Sequence, residues 1–143
     1  MLILGGFKLK RIRYLRIIRE NSEGIILMPD DLKLVQINNI SKTISINSYQ
    51  YNKGEVINEY YADVIVIHIK PHNVYSTFDG MITYEDLCNK IKERDITQIH
   101  IFFEDGEYKQ IKIRWYDLNN THFPMQEYQI FDDFLRVYIR NII

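Results

Sequence analysis

The residues best suited to acid–base or metal chemistry near neutral pH are four histidines, at positions 68, 72, 100 and 122. Two of them interrupt apolar runs, His68 in "VIVIHIK" (64–70) and His100 in "QIHIFF" (98–103). His68 and His72 have the HxxxH spacing that sets two metal ligands on one face of a helix. Pro71 lies between them and the surrounding residues are β-branched, so this segment reads as a strand and the spacing loses its meaning. No metal site is expected. The sequence also lacks a Gly-rich phosphate loop, a CxxC pair, an HExxH motif and a nucleophile elbow, and no cofactor is expected.

Successive side chains of a strand point to opposite faces, so parity says where each histidine goes. Ile65, Ile67 and Ile69 share one face and leave Val64, Val66, His68 and Lys70 on the other. Likewise Ile99, Ile101 and Phe103 leave Gln98, His100 and Phe102 opposite. Both histidines are therefore expected on the sheet face away from the isoleucines.

The segment after His100, "IFFEDGEYKQIKIRWY", reads as a hairpin return. A two-residue Asp105-Gly106 turn would set Gln110 and Lys112 against isoleucines, whereas a three-residue "EDG" loop with Gly106 left-handed keeps the apolar faces together. That register places Phe103 opposite Glu107, Ile99 opposite Ile111, Gln110 opposite His100, Lys112 opposite Gln98 and Tyr108 opposite Phe102, with Arg114 one step along. If the strand of His68 lay beside this hairpin, one face would collect His68, His100, Lys70, Lys112, Arg114, Phe102 and Tyr108. Such a face could hold a nucleotide or RNA, with rings for bases and cations for phosphate. With His68 and His100 as base and acid, it could also support phosphoester chemistry. The two-histidine phosphoesterases carry strand-borne His-x-Thr/Ser motifs, but here Ile69-Lys70 and Ile101-Phe102 follow the histidines. Both hydroxyl residues are missing, and membership is not claimed.

Composition bounds the alternatives. The chain has 143 residues, 46% of them hydrophobic, enough for one domain over 1–143 with its own core. A single cysteine, Cys88, excludes an intramolecular disulfide and suits a reducing cytoplasm. The N-terminal apolar run is short and its positive charges follow it, the wrong order for a signal peptide, and no membrane span is expected. Twenty-five isoleucines, eleven tyrosines and eleven asparagines against one alanine, Ala62, point to an AT-rich genome such as that of a low-GC bacterium, its phages or mobile elements. The net charge is −1, yet residues 1–19 carry +6 through Lys8, Lys10, Arg11, Arg13, Arg16 and Arg19 with no acid. This basic segment could grip phosphate, or it could be an edge strand whose charges discourage aggregation.

These residues must be held by a largely β framework. "RIRYLRII" alternates on either side of an adjustment near Tyr14 and Leu15, which suggests a β-bulge, and it pairs in a hairpin with "IILMP". "DLKLVQIN" and "KTISINSYQY" read as further strands, and "EVINEYYADVIVIHIK" as one long bent strand ending at Pro71. "PHNVYSTFDG" and "DLNNTHFPMQ" read as loops. "TYEDLCNKIKER" has a Thr83 cap, acids in its first turn and an apolar stripe of Tyr84, Leu87, Cys88 and Ile91, and predicts a helix over 83–94. Within 130–143 a helical stripe of Ile130, Phe131, Phe134, Leu135, Tyr138, Ile139 and Ile142 competes with the alternation Leu135, Val137, Ile139; the helix accounts for more apolar positions. The expected fold is α+β: a largely antiparallel sheet of about six to seven strands with the 83–94 helix and a C-terminal helix packed on one face.

The functional expectation is a small non-catalytic interaction protein of a phage or mobile element that binds a host protein or a protein–nucleic acid complex. An inhibitor of a nuclease-based defence system is its concrete form. The alternatives are the nucleotide- or RNA-directed face of His68 and His100, and a nucleic-acid accessory protein using Arg11, Arg13 and Arg16. Oligomeric state is open.

Overall fold

Isoleucine alternating with polar residues carries most of the described residues into strands. The computed structural model describes residues 2–4, 10–20, 24–47, 55–113, 115–118 and 121–140. In chain order the strands are β1 (Leu2–Leu4), β2 (Lys10–Arg19), β3 (Gly24–Leu27), β4 (Leu32–Asn38), β5 (Ser41–Asn47), β6 (Glu55–Tyr61), β7 (Val64–Ile69), β8 (Val74–Thr77) and β9 (Gly80–Thr83). After helix α1 (Tyr84–Lys92) come β10 (Ile96–Phe103), β11 (Tyr108–Lys112), β12 (Trp115–Leu118), β13 (Thr121–Pro124), β14 (Gln126–Ile130) and β15 (Leu135–Arg140). The chain is mainly β, not α+β.

Two layers share strand β2. One layer runs β14-β15-β7-β4-β1 and reaches β2 through the pairs Leu2↔Arg11 and Ile3↔Lys10. The other runs β5-β6-β11-β10-β2, and from the far half of β2 it continues through β3 and β8 to β9. Pairing is antiparallel except between β1 and β4 and between β6 and β11. β12 and β13 form a separate two-stranded ladder. Ile65, Ile67, Ile69, Val137 and Ile139 of the first layer join Leu15, Ile17, Ile25, Ile99 and Ile101 of the second in one buried cluster.

The bulge in β2 falls at Arg13, one residue before the expected place: Phe102 pairs with Tyr14 and Phe103 with Ile12, which leaves Arg13 over. Ile12, Leu15 and Ile17 can all be buried only because this extra residue resets the parity. The 104–106 loop has the expected form, with Gly106 at φ +89, its N–H on Phe103 O at 3.1 Å and Phe103 N–H on Glu107 O at 2.9 Å. The five pairs from Gln98↔Lys112 to Phe102↔Tyr108 match the predicted register.

Helix α1 begins at its Thr83 cap, whose Oγ1 accepts the Asp86 N–H at 3.2 Å. Leu87, Cys88 and Ile91 enter the core, and the helix lies against β8, β9 and β14. It therefore closes the gap between an edge of each layer instead of lying flat on a sheet.

The expected C-terminal helix does not form. Residues 135–140 are strand β15, paired with β7 from Leu135↔Ile69 to Arg140↔Val64. The helical stripe needed Ile130 and Phe131 inside, yet they are 48% and 42% exposed, while Leu135, Val137 and Ile139 are buried. The edge of β7 offers a full ladder of hydrogen bonds, which a helix would have left unpaired. Three further differences raise the strand number. The 55–70 segment is two strands that switch layers at Ala62-Asp63, the supposed loop after Pro71 is the β8–β9 hairpin, and "DLNNTHFPMQ" contributes to the β12–β13 ladder.

Polar contacts close one end of the fold, and the first of them joins the two layers. Gln126 of β14 is buried, donates from Nε2 to Ile96 O at 2.7 Å and accepts the Ile96 N–H at Oε1 at 3.1 Å, acting as a substitute strand neighbour for β10. Arg19, only 7% exposed, grips Asp95 with Nε–Oδ1 2.8 Å and Nη2–Oδ2 2.9 Å. Gln126→Leu keeps the bulk but leaves both Ile96 backbone groups unmatched, so urea denaturation should show a stability loss of about 2–4 kcal/mol. A loss below about 0.5 kcal/mol would mean that these bonds do not join the layers.

Candidate functional site

On β10 the outward residues are Gln98, His100 and Phe102, and the register fills in the face around them. The row through His100 runs Met81–Ser76–Ile26–Arg16–His100–Gln110 across six strands, from β9 to β11. The next row holds Tyr14, Phe102 and Tyr108. Neighbouring strands lie ~4.8 Å apart, so rings standing upright on adjacent strands meet face to face. Tyr14 stacks on Phe102 and Phe102 on Tyr108, each at 4.3 Å between centroids.

Arg16 crosses this face between two more ring contacts, its guanidinium 4.6 Å from the Phe102 centroid and 5.5 Å from that of Phe78. Phe78 comes from the β8–β9 turn and packs on Gly24, where an added Cβ would lie 2.2 Å from its ring. Arg16 Nε is closed off from solvent and meets no acceptor. The two rows and the flanking pair Gln98 and Lys112 contain no carboxylate.

His100 has both ring nitrogens engaged. Nε2 lies 2.8 Å from Gln98 Oε1, Nδ1 lies 3.4 Å from the Tyr108 hydroxyl, and that hydroxyl also accepts from Gln110 Nε2. Burial, and then the charge of Arg16, push its pKa from 6.5 down to about 4. The imidazole is neutral at pH 7 and spent on positioning Tyr108.

His68 also leaves the core face as expected, but it does not meet His100. Strands β4, β1 and β2 lie between β7 and β10, and the two histidines point away from a common core on different layers. His68 stacks on Phe134 at 4.4 Å, opposite Arg136, and its Nε2 is buried without a hydrogen bond. Burial, Arg136 and Lys33 lower its pKa. Lys70 lies just past β7, exposed and away from His100. His72 holds Asp31 through Nδ1 at 2.7 Å and donates its backbone N–H to the Tyr75 hydroxyl at 2.7 Å, which pins the loop after Pro71. His122 lies in β13 opposite Asp117.

The structure thus gathers His100, Phe102, Tyr108, Lys112 and Arg16 on one face, and leaves His68 and Lys70 elsewhere. Arg114 lies outside the described residues. Arg11 and Arg13 are exposed near the start of β2, beyond the stacked rings. Sequence reasoning missed Tyr14, Ile26, Phe78 and Met81; the parity of Tyr14 with Arg16 was visible, but the pairing of β2 with β10 was not. Comparison with family models, curated proteins and solved structures finds no match. No helix among the described residues is long and apolar enough to cross a membrane.

Because the folded pKa of His100 is below the ordinary value, the unfolded chain takes up the proton first. The stability this neutral imidazole contributes is complete above about pH 6.5 and is lost as pH falls toward 4. NMR titration should place the His100 midpoint near 4, and His100→Gln should flatten the stability profile between those limits. A midpoint near 6.5 would show an open imidazole.

Proposed function

We propose that this is a small non-catalytic interaction protein that docks a protein partner on the outer face of the β2–β10–β11 layer. The observation that carries this reading is the Tyr14–Phe102–Tyr108 stack with Arg16 laid against it. Binding single-stranded nucleic acid by stacking needs ring faces free for bases. Here both faces of Phe102 are taken by Tyr14 and Tyr108, so a base has no platform on Phe102. Upright aromatic side chains and an arginine are the residue types that dominate protein interfaces. The same geometry weakens the reading as a phosphoesterase, since His100 is neutral and hydrogen-bonded and His68 belongs to another layer.

The AT-rich composition supports a phage or mobile-element source, with the partner then a host protein or nucleoprotein such as a nuclease of a defence system. The basic segment does not act as a separate arm in this proposal, because Arg16 is built into the face.

The test is the dependence of binding on this face. A partner recovered by affinity capture and purified should bind Tyr108→Ala and Phe78→Ser at least about tenfold more weakly than the natural chain, a loss of ~1.4 kcal/mol. Phe131→Ser, on the first layer, should bind as the natural chain does. Loss on Phe131→Ser alone, or saturable binding of a single-stranded oligonucleotide that requires Tyr14 and Phe102, would overturn the proposal.

A further inference from the structure

Among the described residues, Arg16 Nε is the one buried side-chain nitrogen or oxygen of this face with no hydrogen-bond partner. Arg16 makes no hydrogen bond or ion pair among these residues, and its Nε is shut away from water. Arg19, by contrast, is paired twice with Asp95, and Arg94 meets Glu127 at 3.4 Å. A half-buried guanidinium with no acceptor of its own is available to an acceptor from outside.

Its surroundings define that acceptor. The rings of Phe102 and Phe78 both lie close to the guanidinium, their centroids 4.6 and 5.5 Å from its central carbon. The neighbouring rings are stacked face to face and so present edges, where an aromatic ring carries partial positive charge. His100, opposite Arg16, is neutral and offers no counter-charge. The cross-strand rows bear no carboxylate of their own. A guanidinium beside these rings, in rows that hold no anion, is complementary to a carboxylate, which accepts two parallel N–H bonds from arginine.

We infer that Arg16 is the receptor for a carboxylate side chain of the protein partner, seated between Phe78 and Phe102. The inference rests on the docking proposal above and names the chemistry of the partner: an acidic residue set in an apolar surface that covers Tyr108, Phe78 and Met81, which are exposed. Lysine cannot replace Arg16, because an ammonium lacks the planar fork that a carboxylate fits. Gly24 is part of the site, since a side chain there would push Phe78 off the guanidinium.

The experiment uses the full chain labelled with nitrogen-15 and titrated with sodium acetate, with sodium chloride at equal ionic strength as reference. Its readouts are the Arg16 Nε–H signal, which its burial protects from exchange, and the backbone amides of Tyr14, His100 and Phe102. Acetate should move these signals saturably and chloride should not. Arg16→Lys should abolish the response of the three amides, and Gly24→Ala should weaken it at least about fivefold while the fold is retained by circular dichroism. Three results overturn the inference: no response beyond that of chloride, an equal response at Arg11 and Arg13, or inorganic phosphate bound about tenfold more tightly than acetate, which marks a phosphate site. If acetate fails while Tyr108→Ala still weakens the partner, the receptor is wrong and the docking face stands. If acetate binds as described but face variants leave partner affinity unchanged, the carboxylate receptor is supported and the docking proposal fails.

Discussion

The double use of strand β2 is the constraint on which the other features depend. One edge pairs along its length with β10, while the other changes partner from β1 to β3. The bulge at Arg13 lies where that change occurs, between the β1 pairs at Lys10 and Arg11 and the β3 pairs that begin at Leu15. A bulge bends a strand and sharpens its twist, and this one lets a single strand belong to two layers while Ile12 and Leu15 both stay inside. With regular alternation one of those residues would face water. The same parity shift puts Tyr14 and Arg16 on the outside, where Phe102 and His100 await them.

Closing the core between the layers then separates the chemistry into two distant outer faces. Each isoleucine-rich strand has one side committed to the core, so its polar and aromatic residues can be combined only with those of its own layer. His68 finds Phe134, Lys33 and Arg136; His100 finds Gln98, Tyr108 and Arg16. In both places burial and nearby cations favour the neutral imidazole. These are the conditions of packed polar side chains rather than of a general acid and base. The ring stack gains about 0.5–1.5 kcal/mol per aromatic pair beyond area.

Features set by neighbours along the chain were legible. Thr83, the acidic first turn and the Leu87, Cys88, Ile91 stripe specify α1, and the "EDG" loop specifies the β10–β11 register through the need to keep Ile99 and Ile111 together. Where two patterns competed, the local count misled. The 130–143 stripe contains more apolar positions as a helix, but the vacant edge of β7 decided for a strand, and Ile130 and Phe131 were left outside. Short hairpins such as β8–β9 were read as loops because four-residue strands carry too few alternations to stand out from turn residues.

By itself the sequence determined which side of β7 and of β10 faces the core. That is a matter of period two and the cost of leaving isoleucine in water, and it put both His68 and His100 on outer faces. It could not determine strand order, because the hydrogen bonds of a ladder are the same whichever strand supplies them. Only the tertiary structure decided that β10 lies beside β2 and far from β7. That order made Arg16, placed by sequence in a basic N-terminal segment, the centre of an aromatic face with His100, and it removed His68 from the site.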